Sequence, residues 1–362
     1  MDAAREQIPN GNHSFLNSTS VNPPICFAGE PLTLKSARVM VYIVIFLVSL
    51  MGNLITVITV QRTSRKRKFV HLYLMNMAIA DLVITVVYMP RTMVRFFYGF
   101  EWLVEGVPGL VLCRMVSFLH HASILASIFS LFGTAFDRFC AVMYPLKRIT
   151  TRRVAITSLV LIWILAGILR SPFLISPNVR FSSEGKPPLR ICSSGFSNLF
   201  GQRLATLYRG FFIVLYIICL VLIVILYLIM IGKLCRQKSP GNNEEATKAR
   251  QKAGKRLIEM LISIAIAFVL CWLLYFIAIP IHGSSDLPCH LSFFTYLLAH
   301  SNSAVNPCLL AFFDSEYRGG YTYLLRRMSL CKSMDKQFTS GKSQPKKEEK
   351  QEPDNKTNAT KF

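Results

Sequence analysis

This sequence has little charge. Only 17% of its residues are charged, and whole stretches carry no charge at all. Val39–Val60, Gly210–Gly232, Met260–Ile281 and Leu291–Phe313 contain no Asp, Glu, Lys or Arg. Phe69–Pro90 holds only Asp81, Met115–Phe136 adds two histidines, and Val154–Leu169 is uncharged up to Arg170. A soluble domain of 362 residues does not need so much apolar chain, so a water-borne fold is excluded. Acidic residues are scarcer than basic ones, 19 against 41. The positive excess lies in short loops beside the apolar stretches, which makes nucleic acid an unneeded partner. No apolar leader precedes Glu30, so no cleavable signal is expected and the first span must start insertion itself. The spans hold no paired aspartates, no H-E-x-x-H and no serine-base set, which argues against an intramembrane enzyme. One acid at mid-membrane depth and no internal repeat argue against a transporter, the rival class.

What is present is seven runs long enough to cross a bilayer. About 20 residues of helix rise about 30 Å, the thickness of the hydrocarbon core, and a helix satisfies its own backbone there. An odd number of spans puts the two termini on opposite sides. The expected fold is an all-α membrane protein, a seven-transmembrane helix bundle with a short cytoplasmic eighth helix. It divides into a tail at 1–37, the bundle at 38–313, an amphipathic helix at 314–328 and a disordered tail at 329–362. Gln61–Phe69 carries Arg62, Arg65, Lys66, Arg67 and Lys68 with no acid, and Lys233–Glu259 is also rich in Lys and Arg. Such loops stay in the cytoplasm, which places the N-terminus outside a plasma-membrane, multi-pass protein. Asn12 and Asn17 then become glycosylation sites, whereas Asn355 and Asn358 match the same motif on the wrong side. Cys26, Cys113, Cys192 and Cys289 lie outside, where disulfides persist, and four cysteines allow three pairings. Pairing Cys113 with Cys192 would pin the second outer loop, leaving Cys26 for Cys289.

The inner end of the third span reads Asp137-Arg138-Phe139, followed by Ala141-Val142-Met143-Tyr144-Pro145-Leu146. The seventh reads Asn302-Ser303-Ala304-Val305-Asn306-Pro307. With Gly52-Asn53, the run Leu74–Leu82 and Trp163, the chain resembles the rhodopsin-like G-protein-coupled receptors, in their peptide-receptor branch, from about Arg38 to Met328. Cys113 stands 25 residues before Arg138, as in that family, and the resemblance implies the Cys113–Cys192 disulfide.

The resemblance also assigns roles. Asp81, with Asn53, Ser127, Asn302, Ser303 and Asn306, matches the family's sodium and water pocket. Oxygen ligands suit a hard cation, so Asp81 is the metal candidate and allosteric sodium the only implied ion; no other cofactor is expected. A helix-packing hydrogen-bond cluster without an ion is the alternative. Asp137, Arg138, Phe139 and Tyr227 match the positions that couple to the heterotrimeric G protein. Ile128, Phe268, Trp272 and Pro307 match the activation switch. Arrestin, receptor kinases and membrane lipid follow as partners, and Cys331 as a palmitoylation site. Several family residues are missing. Cys271-Trp272-Leu273-Leu274 lacks the kinking proline of the sixth span, Cys219 stands where the fifth span has one, Leu310 replaces a tyrosine, and Gly254 replaces the acid that clamps Arg138.

The ligand is narrowed by absence too. No lysine stands in the seventh span, where His300 takes the opsin position, so a Schiff base is excluded. His120 replaces the aspartate of amine receptors. Arg91, Arg180, Arg190 and Arg209, with His120, His121, Tyr275 and His300, form the candidate ligand pocket. Its basic rim suits an extracellular peptide or acidic ligand, against solvated loop charge as the plain alternative. The expected function is a receptor, not an enzyme, that turns binding of an extracellular ligand, a peptide first, into G-protein activation. A small acidic or lipid ligand, or a seven-helix transporter, stands as the alternative.

Overall fold

The computed structural model describes residues 27, 29–62, 69–144, 150–181, 190–193, 195–236, 244–282, 287–315 and 317–323. Seven long helices follow in chain order: α1 Leu32–Arg62, α2 Val70–Tyr98, α3 Gly106–Met143, α4 Arg152–Arg170, α5 Gln202–Arg236, α6 Glu244–His282 and α7 Cys289–Phe313. Residues 317–323 are again helical. α1 begins at Leu32, so part of the segment expected as tail, up to residue 37, is helix. All seven overrun their apolar stretches. α3 has 38 residues and rises about 57 Å, well beyond a bilayer core. An apolar run measures the depth of hydrocarbon, whereas a helix continues until its backbone is capped or broken. Thr151 supplies one such cap, its hydroxyl accepting from Val154 N at 3.3 Å at the start of α4.

Among the described residues, six helices are long and apolar enough to span by composition alone; α7 is long enough but less apolar. Its stretch His300-Ser301-Asn302-Ser303 and Asn306 faces the other helices rather than lipid, and all of these but Ser301 are buried. The lipid-facing band is plainest on α5, where Val214, Ile217, Val221, Val224 and Leu228 are all exposed.

Lipid is as apolar as leucine, so helix association here rests on close packing and hydrogen bonds. Trp163 Nε1 on α4 donates to Asn76 Oδ1 on α2 (2.8 Å), and Asn76 Nδ2 donates to Ser130 Oγ on α3 (2.8 Å). Tyr73 and Ser158 hydroxyls meet at 2.6 Å. Gly52 lets α1 approach α7: a Cβ there would stand 2.6 Å from Pro307 Cγ.

α2 contains a π-helical turn, Ile84–Tyr88, just before Pro90. Proline lacks an N–H, and its ring crowds the carbonyl one turn back. The wider turn relieves that crowding, with Met89 N donating to Ile84 O, and Thr85 Oγ1 also bonds Asp81 O at 2.7 Å. Tyr88, Arg91 and Arg95 lie at and beyond this turn, toward the end of the bundle expected to face outside, called the outer end below. Over that end lies an antiparallel hairpin, β1 Asn178–Phe181 and β2 Arg190–Ser193. The Cys113–Cys192 disulfide ties β2 to α3, and Trp102 N donates to Arg190 O at 2.7 Å.

Candidate functional site

The outer half of the bundle encloses a cage of rings. His120 of α3 is fully buried, stacks on Tyr88 at 3.7 Å between centroids, and meets His121, His300 and Tyr275 edge-on at 5.1, 5.7 and 6.3 Å. Among the described residues, neither ring nitrogen of His120 has a hydrogen-bond partner. His300 Nδ1 meets the Tyr42 hydroxyl at 2.7 Å, while its Nε2 has none. Arg91 lies 5.7 Å from the Tyr88 ring and 5.2 Å from Trp102. An unpaired buried polar group costs about 1–3 kcal/mol, so this cage is built for water or a ligand to complete. Trp272 forms its floor, 5.3 Å from Tyr275 and 5.7 Å from Phe276, above the apolar layer that includes Ile128 and Phe268.

The expected pocket residues divide. His120, His121, Tyr275, His300 and Arg91 come together. Arg190 is instead paired with Glu105, which neutralises it on the rim. Arg209 is exposed on α5 with its guanidinium toward Thr206 at 3.4 Å, outside the cage. Its place on the helix turns it outward, a phase that charge counting does not reveal. Arg180 lies on β1, and its side chain falls outside the described residues, as do Asn12, Asn17, Cys26 and Cys331 entirely. Cys289 is disulfide-bonded.

Lower down, Asp81 is fully buried and accepts from Ser303 Oγ (3.0 Å) and Asn306 Nδ2 (2.8 Å). Asn53 does not bond the carboxylate; its amide donates to Ser49 O and Ser303 O at 2.9 and 2.8 Å. Ser127 Oγ, Asn302 Oδ1 and Asn306 Oδ1 are buried without partners. Asn306 thus brings an unpartnered amide oxygen beside the carboxylate, and oxygen donors of this kind suit a hard cation.

At the inner end Arg138 forms a two-point ion pair with its neighbour Asp137, Nε to Oδ2 at 3.0 Å. Among the described residues no acid of α6 reaches it: Gly254 is exposed, and Glu259 pairs with Lys255. Phe139 is half-buried against the core, and Tyr227 is buried with its hydroxyl unpartnered. Two tyrosines beyond the end of α7 join the apolar cluster that holds Leu310. Tyr317 is buried and its hydroxyl meets His71 Nδ1 at 3.1 Å. The Tyr321 hydroxyl donates to Gly52 O (3.2 Å) and Pro307 O (3.4 Å). Burial pushes that phenol up to about 12, so it remains a donor at cellular pH. Arg318 caps α7 by donating to Phe312 O at 2.8 Å. A tyrosine pair following the helix end is the signal that was available, since a buried hydroxyl needs a partner.

Residues 52–310 match the family described as "7 transmembrane receptor (rhodopsin family)". Rat neuropeptide FF receptor 1 is 26% identical over 91% of this chain and 81% of its own length. Apelin receptor A of Xenopus laevis is 30% identical over 76% of this chain and 78% of its own. The RYamide receptor of Tribolium castaneum is 26% identical over 87% of each. The caged outer pocket, the Asp81 cluster and the Asp137–Arg138 pair thus lie on the scaffold that these receptors share. The chain is a multi-pass membrane protein and not an enzyme, and it belongs to the rhodopsin family of seven-transmembrane, G-protein-coupled receptors.

Proposed function

We propose that this receptor sits in the plasma membrane with its N-terminus outside and is activated by an extracellular peptide. One observation carries the reading: the deep ring-lined cage whose buried polar atoms on His120 and His300 lack partners. A peptide offers both the apolar side chains and the backbone donors and acceptors that such a cage needs. Similarity to receptors whose names refer to peptides supports the same ligand class. Ligand contact with the rings around Trp272 would favour the arrangement in which α6 moves out and Arg138 leaves Asp137 for the G protein. The G protein would favour that arrangement reciprocally. Arrestin and receptor kinases would act on the same inner face, with Cys331 as a lipid anchor and Asn12 and Asn17 as glycan sites.

Sodium fits the Asp81 cluster. Asp81, Ser127, Asn302 and Asn306 would hold it, and the ion would supply a counter-charge that stabilises the inactive packing. The central test is guanine-nucleotide exchange by purified receptor and G protein, screened against peptides. Stimulation lost in Arg138→Ala is expected; a receptor that answers only to non-peptide ligands overturns the peptide reading.

A further inference from the structure

We propose that Arg170, at the outer end of α4, is the anion-recognising residue of this pocket and takes a carboxylate of the ligand, with Tyr216 as its positioning residue. The proposal rests on the receptor reading and names the chemistry its ligand must carry. Arg38, Arg138 and Arg190 each have a carboxylate partner, Glu30, Asp137 and Glu105. Arg170 is buried nearly as deeply as Arg38, and among the described residues no acid pairs with it. Its Nη2 reaches the Tyr216 hydroxyl at 3.2 Å, its guanidinium lies 3.3 Å from the Phe212 ring centroid, and its Nε has no partner.

A guanidinium cannot shed its proton to escape burial. The hydroxyls of Tyr216 and Tyr208 and the rings of Phe212 and Phe173 are all neutral, and they offset only part of what desolvation costs. A carboxylate would supply the missing counter-charge, and the planar fork is shaped to hold it at two points. The subsite is also continuous with the cage. Phe173 lies 6.0 Å from the Arg170 guanidinium and stacks on His121 at 3.9 Å, and His121 abuts His120. On its other side Tyr216 stacks on Phe276 at 4.4 Å, and Phe276 stacks on Trp272. An anion drawing on Arg170 therefore acts two rings away from the switch. The anion recognition expected of Arg190 and Arg209 is better served here, because Glu105 already holds the first and the second points away.

The test uses full-length receptor in lipid nanodiscs, with 3-phenylpropionate and its neutral amide as probes in thermal unfolding titrations. The acid should stabilise the receptor and the amide should not. Arg170→Gln should weaken acid affinity at least about tenfold, while exposed Arg203→Gln keeps it. The ligand-free Arg170→Gln receptor should melt no lower than the unmodified one, since it loses an uncompensated buried charge; a structural arginine would leave it less stable. If that variant does not fold, Arg170→Lys, which keeps charge without the fork, should still lose acid affinity. Retained acid response in Arg170→Gln or Arg170→Lys, or equal response to acid and amide, overturns the proposal. Peptides ending in carboxylate or carboxamide then distinguish a peptide terminus from a small organic acid as the source. Nucleotide exchange on the same preparations separates the two readings, since acid binding without any peptide response sinks the peptide ligand but not the subsite.

Discussion

The two ends of the bundle handle buried polarity in opposite ways. At the outer end His120, His300 Nε2 and Arg170 Nε are left without partners. At the inner end Arg138 is closed on Asp137, Tyr317 on His71, and Tyr321 on two backbone carbonyls. The outer end gains by binding; the inner end, though the Tyr227 hydroxyl is unpartnered there, must break the Arg138, Tyr317 and Tyr321 bonds to open. A receptor needs that asymmetry. Ligand binding can supply interactions outside only if they are missing there, and the restraint inside must be weak enough for that gain to release it.

The largest expected effect comes from unpinning the outer end. Cys113→Ala should cost about 2–4 kcal/mol and lower the melting temperature by roughly 5–15 °C, because β2 loses its tether to α3. A melting curve unchanged from the parent would show that the hairpin is held by Trp102 and its neighbours alone. Next comes the contact that joins both ends along α1 and α7. Gly52→Val places a Cβ 2.6 Å from Pro307 and should cost about 1–3 kcal/mol, whereas Gly210→Ala meets open space and should be tolerated. Equal melting temperatures for the two variants would refute that packing argument.

Between the ends, sodium should raise the melting temperature of the unmodified receptor over a large organic cation at equal ionic strength, and Asp81→Asn should abolish the difference. Indifference of the parent receptor to the cation removes sodium from the pocket. Tyr321→Phe takes two hydrogen bonds from the inner end. It should favour opening by about 1 kcal/mol, raising ligand-free nucleotide exchange about fivefold. Exchange no higher than in the parent would mean that this hydroxyl restrains nothing. The smallest effect is expected for Gly254→Glu, which restores an acid on α6. An exposed pair contributes ~0–1 kcal/mol, so ligand-free exchange should fall about twofold toward the Arg138→Ala baseline, and a rise would contradict the missing-clamp idea.

Much of this was legible residue by residue. Asp81 stands alone in its span, and the polar run on the seventh span had to face it, as Ser303 and Asn306 do. Asn53 was expected in the same cluster and sits one step away, on Ser303 O, because its amide finds backbone before carboxylate. Arg190 and Arg209 show where counting charge stops. Pairing with Glu105 depends on a hairpin crossing the mouth, and the outward aim of Arg209 depends on helix phase. Leu310 read as a lost hydroxyl, yet Tyr321 places one against Pro307 from beyond the helix end.

The sequence by itself determined the spans and the family. Each is local: an apolar run or a short motif carries its meaning without a partner. Only the tertiary structure decided which buried polar groups are satisfied. That depends on atoms brought together from different helices. The end of α4 meets α5 where Arg170 finds Tyr216 and, among the described residues, no acid. Hydrogen bonds and ion pairs act over about 3 Å, and no reading of spacing along one helix can fix such a distance across two.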